Sequence, residues 1–335
     1  MTAAKRIGFA CKFVEISKKG IVSVPELNTR TTTMRWLREH PKQAEAKLWE
    51  LMKHNIESMY QLVQRVSKLP PELRMVRISS DILPGFTEPN WRGFWRQTDV
   101  QNYAEAAFRR VGCLARMADV RLSFHPGQFC VLASDKDDVV DRSIEDFEYH
   151  ATMCRWMGYG KSFQDFKINV HIAGRAGPEG IRQSYAKLSP EARNCITIEN
   201  EEMAWGLEDC LTLTDLVPIV LDIHHHWVKT GEYIRAEDPR VQQVRDSWRG
   251  VRPAMHYSLS REDILVGHCK DTMPDHAQLL SQGYKKGKLR AHSDMMWNRA
   301  CNRWALEHND WADIMVEAKS KNLASFALQA ETVTS

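Results

Sequence analysis

Short, β-branched apolar segments recur along this chain and alternate with longer stretches of helical periodicity. That alternation limits the fold more than any other feature. The strand candidates are Arg6–Ala10, Met75–Ser79, Val120–Phe124, Lys167–His171, Cys195–Glu199, Pro218–Asp222, Ala254–Ser258 and Asp313–Glu317. Between them, apolar residues fall at i, i+3, i+4 and i+7 in 44–68, 102–118, 139–158 and 296–308. Strand–helix alternation repeated eight times argues for a parallel sheet, and eight such strands predict a closed (β/α)₈ TIM barrel. An open doubly wound sheet is the alternative. Its nucleotide-binding form is opposed by the lack of G-x-G-x-x-G or G-x-x-x-x-G-K-[ST] after any strand. No linker divides the 335 residues, so a single domain is expected, with its core at about 6–325 and a peripheral tail at 326–335. The stretch 20–35 is a polar excursion after the first strand, and 281–292 is a basic one after the seventh.

Composition narrows the class of protein. Hydrophobic residues make up 43% and charged residues 27%, the balance of a folded globular chain. No apolar run reaches the roughly 18–20 residues of a membrane span, and the first residues carry no secretory h-region. The eight cysteines contain no C-x-x-C pair, which fits reduced core thiols in a cytosolic protein. A cytoplasmic or nucleoid-associated location is therefore expected, with no membrane contact. A net charge of +3 permits a polyanionic partner without demanding one.

The ends of the strands carry the chemistry. The third runs into His125-Pro126-Gly127-Gln128, the fourth ends at His171, and the fifth at Glu199-Asn200. The sixth ends at Asp222 with His224, His225 and His226 behind it, the seventh carries His256, and the eighth ends at Glu317. The second leads to Ser80-Asp81 with Glu88 shortly after, and His292 lies in the loop beyond the seventh. In a (β/α)₈ barrel the C-terminal strand ends form one face, so these side chains converge there. Imidazole and carboxylate together suit borderline divalent ions such as Mn²⁺, Zn²⁺ or Fe²⁺. Nine such groups exceed what one ion takes and suit a cluster of two or three, a device fitted to phosphodiester hydrolysis.

The segments IGFAC (7–11), NTRTT (28–32), SDILPGF (80–86), SFHPGQF (123–129), NVHIAG (169–174), TIEN (197–200), LDIHHH (221–226) and MVEAK (315–319), in this order, resemble the UV damage endonucleases. The resemblance spans residues 6 to 319. It implies a TIM barrel related to endonuclease IV that cuts damaged double-stranded DNA immediately 5′ to pyrimidine dimers and 6-4 photoproducts, with abasic sites as further substrates. It also implies a 3′-hydroxyl product, no nucleotide cofactor, and a cluster of divalent ions, manganese foremost, with Zn²⁺, Mg²⁺ or Co²⁺ as alternatives. The chain is expected to act as a monomer. Carried over, the ligands are His125, His171, Glu199, Asp222, His225, His256, His292 and Glu317, with Glu88 as a ninth candidate. Glu199, Glu317 and His256 are the expected catalytic groups, the two glutamates bridging ions. His292 is preferred to His276 because it precedes Glu317 by the family's interval. Gln128 and Phe129 match the loop that probes the lesion, and Phe9 and Asn200 join them as expected DNA-side residues. Lys285, Lys286, Lys288 and Arg290 suit phosphate contacts.

Three positions depart from the pattern. Glu88 stands where the family has histidine, Ala254 where it has lysine, and Phe9 and Phe129 where it often has tyrosine. Two other functions compete: a sugar isomerase or other small-molecule metalloenzyme on the same barrel, and a damage-binding protein with impaired catalysis. The histidine run poses a geometric question. Strict strand alternation would pair Asp222 with His224. The family pattern pairs Asp222 with His225, so the chain must leave strand geometry directly after Asp222, and His224 and His226 become supporting or DNA-side residues.

Overall fold

Parallel strands need long crossovers, and the helical stretches supply them. The computed structural model describes residues 4–334. Ten strands form, and we number them in chain order. They are β1 (Ile7–Cys11), β2 (Val14–Ser17), β3 (Gly20–Ser23), β4 (Met75–Ile78), β5 (Arg121–Phe124), β6 (Lys167–His171), β7 (Ile196–Glu199), β8 (Ile219–Val220), β9 (Ala254–Tyr257) and β10 (Asp313–Val316). Eight of them make one parallel sheet in the order β8-β7-β6-β5-β4-β1-β10-β9. A parallel bridge between Asp222 and His256, with His256 N donating to Leu221 O at 3.0 Å, joins the two ends and closes the ring. This is the expected TIM barrel.

The helices obey the periodicity that predicted them. Pro41–Ser67 buries Leu48, Met52, Ile56, Met59 and Val63, and Thr98–Met117 buries Val100, Ala104, Phe108, Val111 and Ala115. Asp137–Met157 opens on Asp137 and Asp138, charges that suit a helix N-terminus, and stops at Gly158 in the left-handed region (φ 89°). Gly112 lets two of these helices touch, because a Cβ there would fall 1.9 Å from the carbonyl oxygen of Met157.

Inside the ring, strand alternation sends one phase to the helices and the other to the lumen. At the N-terminal end, buried Asp313 accepts from Arg121 at 2.7 Å and Arg252 at 2.6 Å. Losing one partner of such a buried pair costs about 3–5 kcal/mol. Above it lie Ala10, Met75, Val220, Ala254 and Met315, and the polar groups of the C-terminal mouth come last.

The structure corrects several expectations. Strand six keeps only Ile219–Val220, since Pro218 has no N–H for the ladder and the chain turns at Asp222. The excursion at 20–35 includes half of an antiparallel hairpin, β2–β3, that carries the cross-strand pair Ile16–Ile21. Asn322 Oδ1 anchors this hairpin by accepting from Val14 N at 2.8 Å. The tail read as peripheral belongs to the helix Asn322–Thr334, where Ala324 and Leu328 are fully buried; residue 335 lies outside the described residues.

Candidate metal centre

Glu199 occupies the middle of the C-terminal mouth. It is fully buried at the end of β7, with His256 Nδ1 at 3.0 Å, His125 Nε2 at 3.3 Å, His171 Nε2 at 3.4 Å and His225 Nδ1 at 3.5 Å. Glu317 follows β10 and pairs with Arg77 of β4; His256 Nδ1 lies 3.3 Å from it and His292 Nδ1 3.9 Å. Three groups of donor atoms are close enough to share ions: His125–His171–Glu199, His125–His256–Glu317 and Glu199–Asp222–His225. Six strands of the ring and the segments that follow them thus deliver imidazole or carboxylate to one small volume.

The histidine run resolves as the pattern required. Asp222 is the N-cap of the helix Ile223–Thr230, and its Oδ1 accepts from His225 N at 2.7 Å. The chain therefore switches to helical geometry at once, and the three imidazoles point in three directions. His225 Nδ1 donates to the Asn200 carbonyl at 3.0 Å and lies 3.6 Å from Asp222 Oδ2. His224 bonds Ser258 Oγ at 2.8 Å, and His226 bonds Glu232 at 2.9 Å.

Burial and charge set the protonation of the cluster. Burial drives Glu199 upward, but the imidazoles of His256 and His171 prevail and hold it well below the usual carboxylate range. Burial acts the same way on Glu317, and Arg77 and His256 overcome it. Asp222 is pushed up to about 7 by burial, against the pull of His225. Burial lowers His225, yet Asp222 and Glu199 raise it to about 9. Burial brings His256 down to about 4. The result is a mixed site, with ionised glutamates, neutral His256 and protonated His225 at neutral pH.

Not every expected residue arrives. Glu88 sits exposed before the turn Pro89–Trp91, outside the three donor groups. Phe9 is fully buried in the outward phase of β1, edge-on to Phe13 at 5.8 Å and Phe326 at 6.4 Å, so it is a core residue with no face for DNA. Asn200 is also fully buried and spends its amide on the Asp222 backbone, accepting at 2.8 Å and donating at 3.0 Å. It positions Asp222 and does not meet DNA. His276 bonds the Val228 carbonyl at 3.1 Å, away from the cluster. Gln128 and Phe129 do reach the surface, and Phe129 is 85% exposed on the loop that follows His125. In the basic stretch, Lys286 is committed to the Lys229 carbonyl at 2.6 Å, and Arg290 reaches Glu202 at 2.7 Å.

Sequence reading missed several contributors. Asn169 Nδ2 donates to Glu199 Oε2, and Thr197 Oγ1 donates to Asn169 at 2.8 Å, a chain that fixes the carboxylate. Glu202 is buried with Oε2 3.7 Å from His225 Nε2. Lys167 Nζ lies 3.0 Å from His256 Nε2. Alternation held the signal for two of them: in KINVH the lysine, asparagine and histidine share the inward phase, while Ile168 and Val170 take the outward one.

Comparison with known proteins identifies the family. The family model of UV-endonuclease UvdE matches residues 5–334. The chain belongs to the UvdE family. It is 27% identical over 270 residues to the UV-damage endonuclease of Schizosaccharomyces pombe, a match covering 76% of this chain and 40% of that protein. The UV DNA damage endonuclease of Bacillus cereus strain B4264 is 26% identical over 299 residues, covering 86% of this chain and 83% of its own. Among solved structures, SacUVDE superposes with a TM-score of 0.73 at 22% identity, covering 98% of each chain. Endonuclease IV of Thermus thermophilus gives 0.52 at 13% identity, covering 83% of this chain and 95% of its own. The UvdE chain thus shares the TIM-barrel fold of both.

Proposed function

We propose that this UvdE chain is a divalent-metal-dependent DNA repair endonuclease that nicks the backbone immediately 5′ to UV photoproducts, with abasic sites as further substrates. The observation that carries the reading is the convergence of Glu199, Glu317, Asp222 and their imidazoles at a barrel mouth rimmed by exposed Phe129. The donor set fits a divalent cluster, and one feature supports it: among the described residues, Asp222 Oδ2 is buried without a hydrogen-bond partner. The groups that would hold the ions are His125, His171, Glu199, Asp222, His225, His256 and Glu317, with His292 at the edge. When bound, such a cluster, two or three Mn²⁺ ions in this reading, supplies Lewis acidity for phosphodiester hydrolysis.

The chain's own residues prepare that chemistry. Arg77 and the surrounding imidazoles keep Glu317 and Glu199 ionised, so neither carboxylate needs to lose a proton when an ion arrives. Asn169 and Asn200 fix Glu199 and Asp222 in place. Phe129 and Gln128 stand where a duplex crossing the mouth would meet them. Inserting an aromatic ring into a base stack costs least where damage has already weakened the stack, which gives lesion selectivity without sequence readout.

One assay tests the reading. Purified protein is incubated with Mn²⁺ and a duplex carrying a single thymine dimer, beside an undamaged control. A nick directly 5′ to the dimer supports it. Tight binding to the damaged duplex without a nick favours a damage-binding protein, and the absence of both favours a small-molecule enzyme.

A further inference from the structure

Lys167 is the first residue of β6 and points into the barrel. It is 3% exposed, and among the described residues no carboxylate oxygen lies within 4.0 Å of its amine. Burying the amine is costly and the charge of Glu199 offsets only part of that cost, so a lysine in this lumen calls for a use. Among the described residues, the side-chain partner of Nζ is His256 Nε2, at 3.0 Å. In the ring order β6 and β9 are three strands apart in the direction that passes through the Asp222–His256 bridge, so this contact crosses the lumen. The opposite edge of the same imidazole faces Glu199 at 3.0 Å and Glu317 at 3.3 Å. On His256's own strand the inward residue beneath it is Ala254, fully buried among Met75, Val220 and Met315 and carrying no polar group. Support from below must therefore come from another strand.

We propose that Lys167 is a positioning residue for the metal centre: by donating to Nε2 of His256 from across the barrel, it fixes the ring with its Nδ1 edge turned toward Glu199 and Glu317, and so holds the two carboxylates in place. Without the grip, the imidazole is free to rotate about its Cβ–Cγ bond and present carbon where the two glutamates converge. Hydrogen-bond partners that orient ligating side chains change metal affinity by about 10–100-fold. The inference rests on the proposed metal site, so it is tested by metal binding in the absence of DNA, and a failure of DNA nicking does not bear on it.

The experiment is a double-mutant cycle read by calorimetric titration of the full chain with Mn²⁺. Lys167→Met keeps the bulk of the stem and removes the hydrogen bond, and should weaken Mn²⁺ binding by about 10–100-fold. His256→Asn should weaken it too, and adding Lys167→Met in that background should change nothing further, because the lysine acts through the ring. With Co²⁺ as probe, the visible spectrum of Lys167→Met should shift as that of His256→Asn does. Should Lys167→Met fail to fold, Lys167→Leu, which also lacks a hydrogen-bonding group, enters the same cycle with the same expectations. The proposal is overturned if the lysine variant binds Mn²⁺ within twofold of the parent. It is also overturned if the lysine's effect adds in full to that of His256→Asn.

Discussion

Replacing Glu199 by glutamine should abolish most of the stabilisation that Mn²⁺ gives the protein while leaving the side chain's shape intact. The carboxylate stands among four imidazoles at 3.0–3.5 Å, and Asn169 donates to its Oε2. An amide can satisfy Asn169 only by keeping its oxygen there, which turns the NH₂ toward His256 and His225, and an amide nitrogen is no metal ligand. Losing a shared ligand should cost at least the 100-fold seen at the upper end for outer-sphere partners. At a metal concentration near 100 times the parent Kd, binding stabilises the fold by about 2.7 kcal/mol; with Kd raised 100-fold the same concentration gives about 0.4 kcal/mol. At about 2 °C per kcal/mol for a chain of this size, a metal-induced Tm shift of about 5 °C should shrink to about 1 °C. Thermal melts with and without Mn²⁺ read this directly, and the metal-free melt of each protein separates a folding defect from a binding one. A full shift of about 5 °C in Glu199→Gln would show that the carboxylate is not a ligand.

Three further expectations concern the loops and the proton balance of the mouth. Phe129→Ala should leave the folded state unchanged, the ring being 85% exposed, yet weaken binding to a dimer-containing duplex by about 5–100-fold, the worth of one stacked base; fluorescence anisotropy on damaged and undamaged duplexes would refute it by showing equal losses. His225 is raised to about 9 by Asp222 and Glu199 against burial, so it carries a proton at neutral pH that a metal must displace. Mn²⁺ affinity should therefore rise with pH between 6.5 and 8.5, by up to about tenfold per unit above the titration of Asp222 near 7 and more steeply below it, with release of at least one proton, and calorimetry in buffers of differing ionisation enthalpy that shows neither would refute it. Asn55→Ala should destabilise by about 2–4 kcal/mol, because this buried amide accepts from Arg30 N and donates to the Arg30, Asp81 and Ile82 carbonyls. Urea unfolding measures that loss, and a change under 1 kcal/mol would mean that the two loops hold each other without it.

The barrel was legible because its signals are local: alternation within each strand and 3.6-residue periodicity between strands. The convergence of His125, His171, Glu199, Asp222, His256 and Glu317 followed from strand ends alone. The phase of a strand was harder to read. In IGFAC the small Gly8 and Ala10 take the crowded lumen and Phe9 takes the helix side, a choice made by the width of the closed ring. The role of Asn200 is not visible in its own segment, because it depends on the backbone after the neighbouring strand, which takes up both ends of its side-chain amide. Nothing local to TEPNW shows that its turn leaves Glu88 in solvent. The hairpin went unread because Ile16 and Ile21 stay exposed, so no buried face marks its register. Lys167 could be seen as inward, but its partner lies three strands away in space and 89 residues away in sequence.

The bridge that closes the barrel is made by Asp222 and His256, two of the groups aimed at the proposed ions. Beside it β8 contributes only two residues, so this seam has fewer ladder bonds than a full-length strand would give. An ion shared by the residues flanking it would act as a clasp on the ring, so closure of the barrel and occupancy of the proposed site would be linked through one seam.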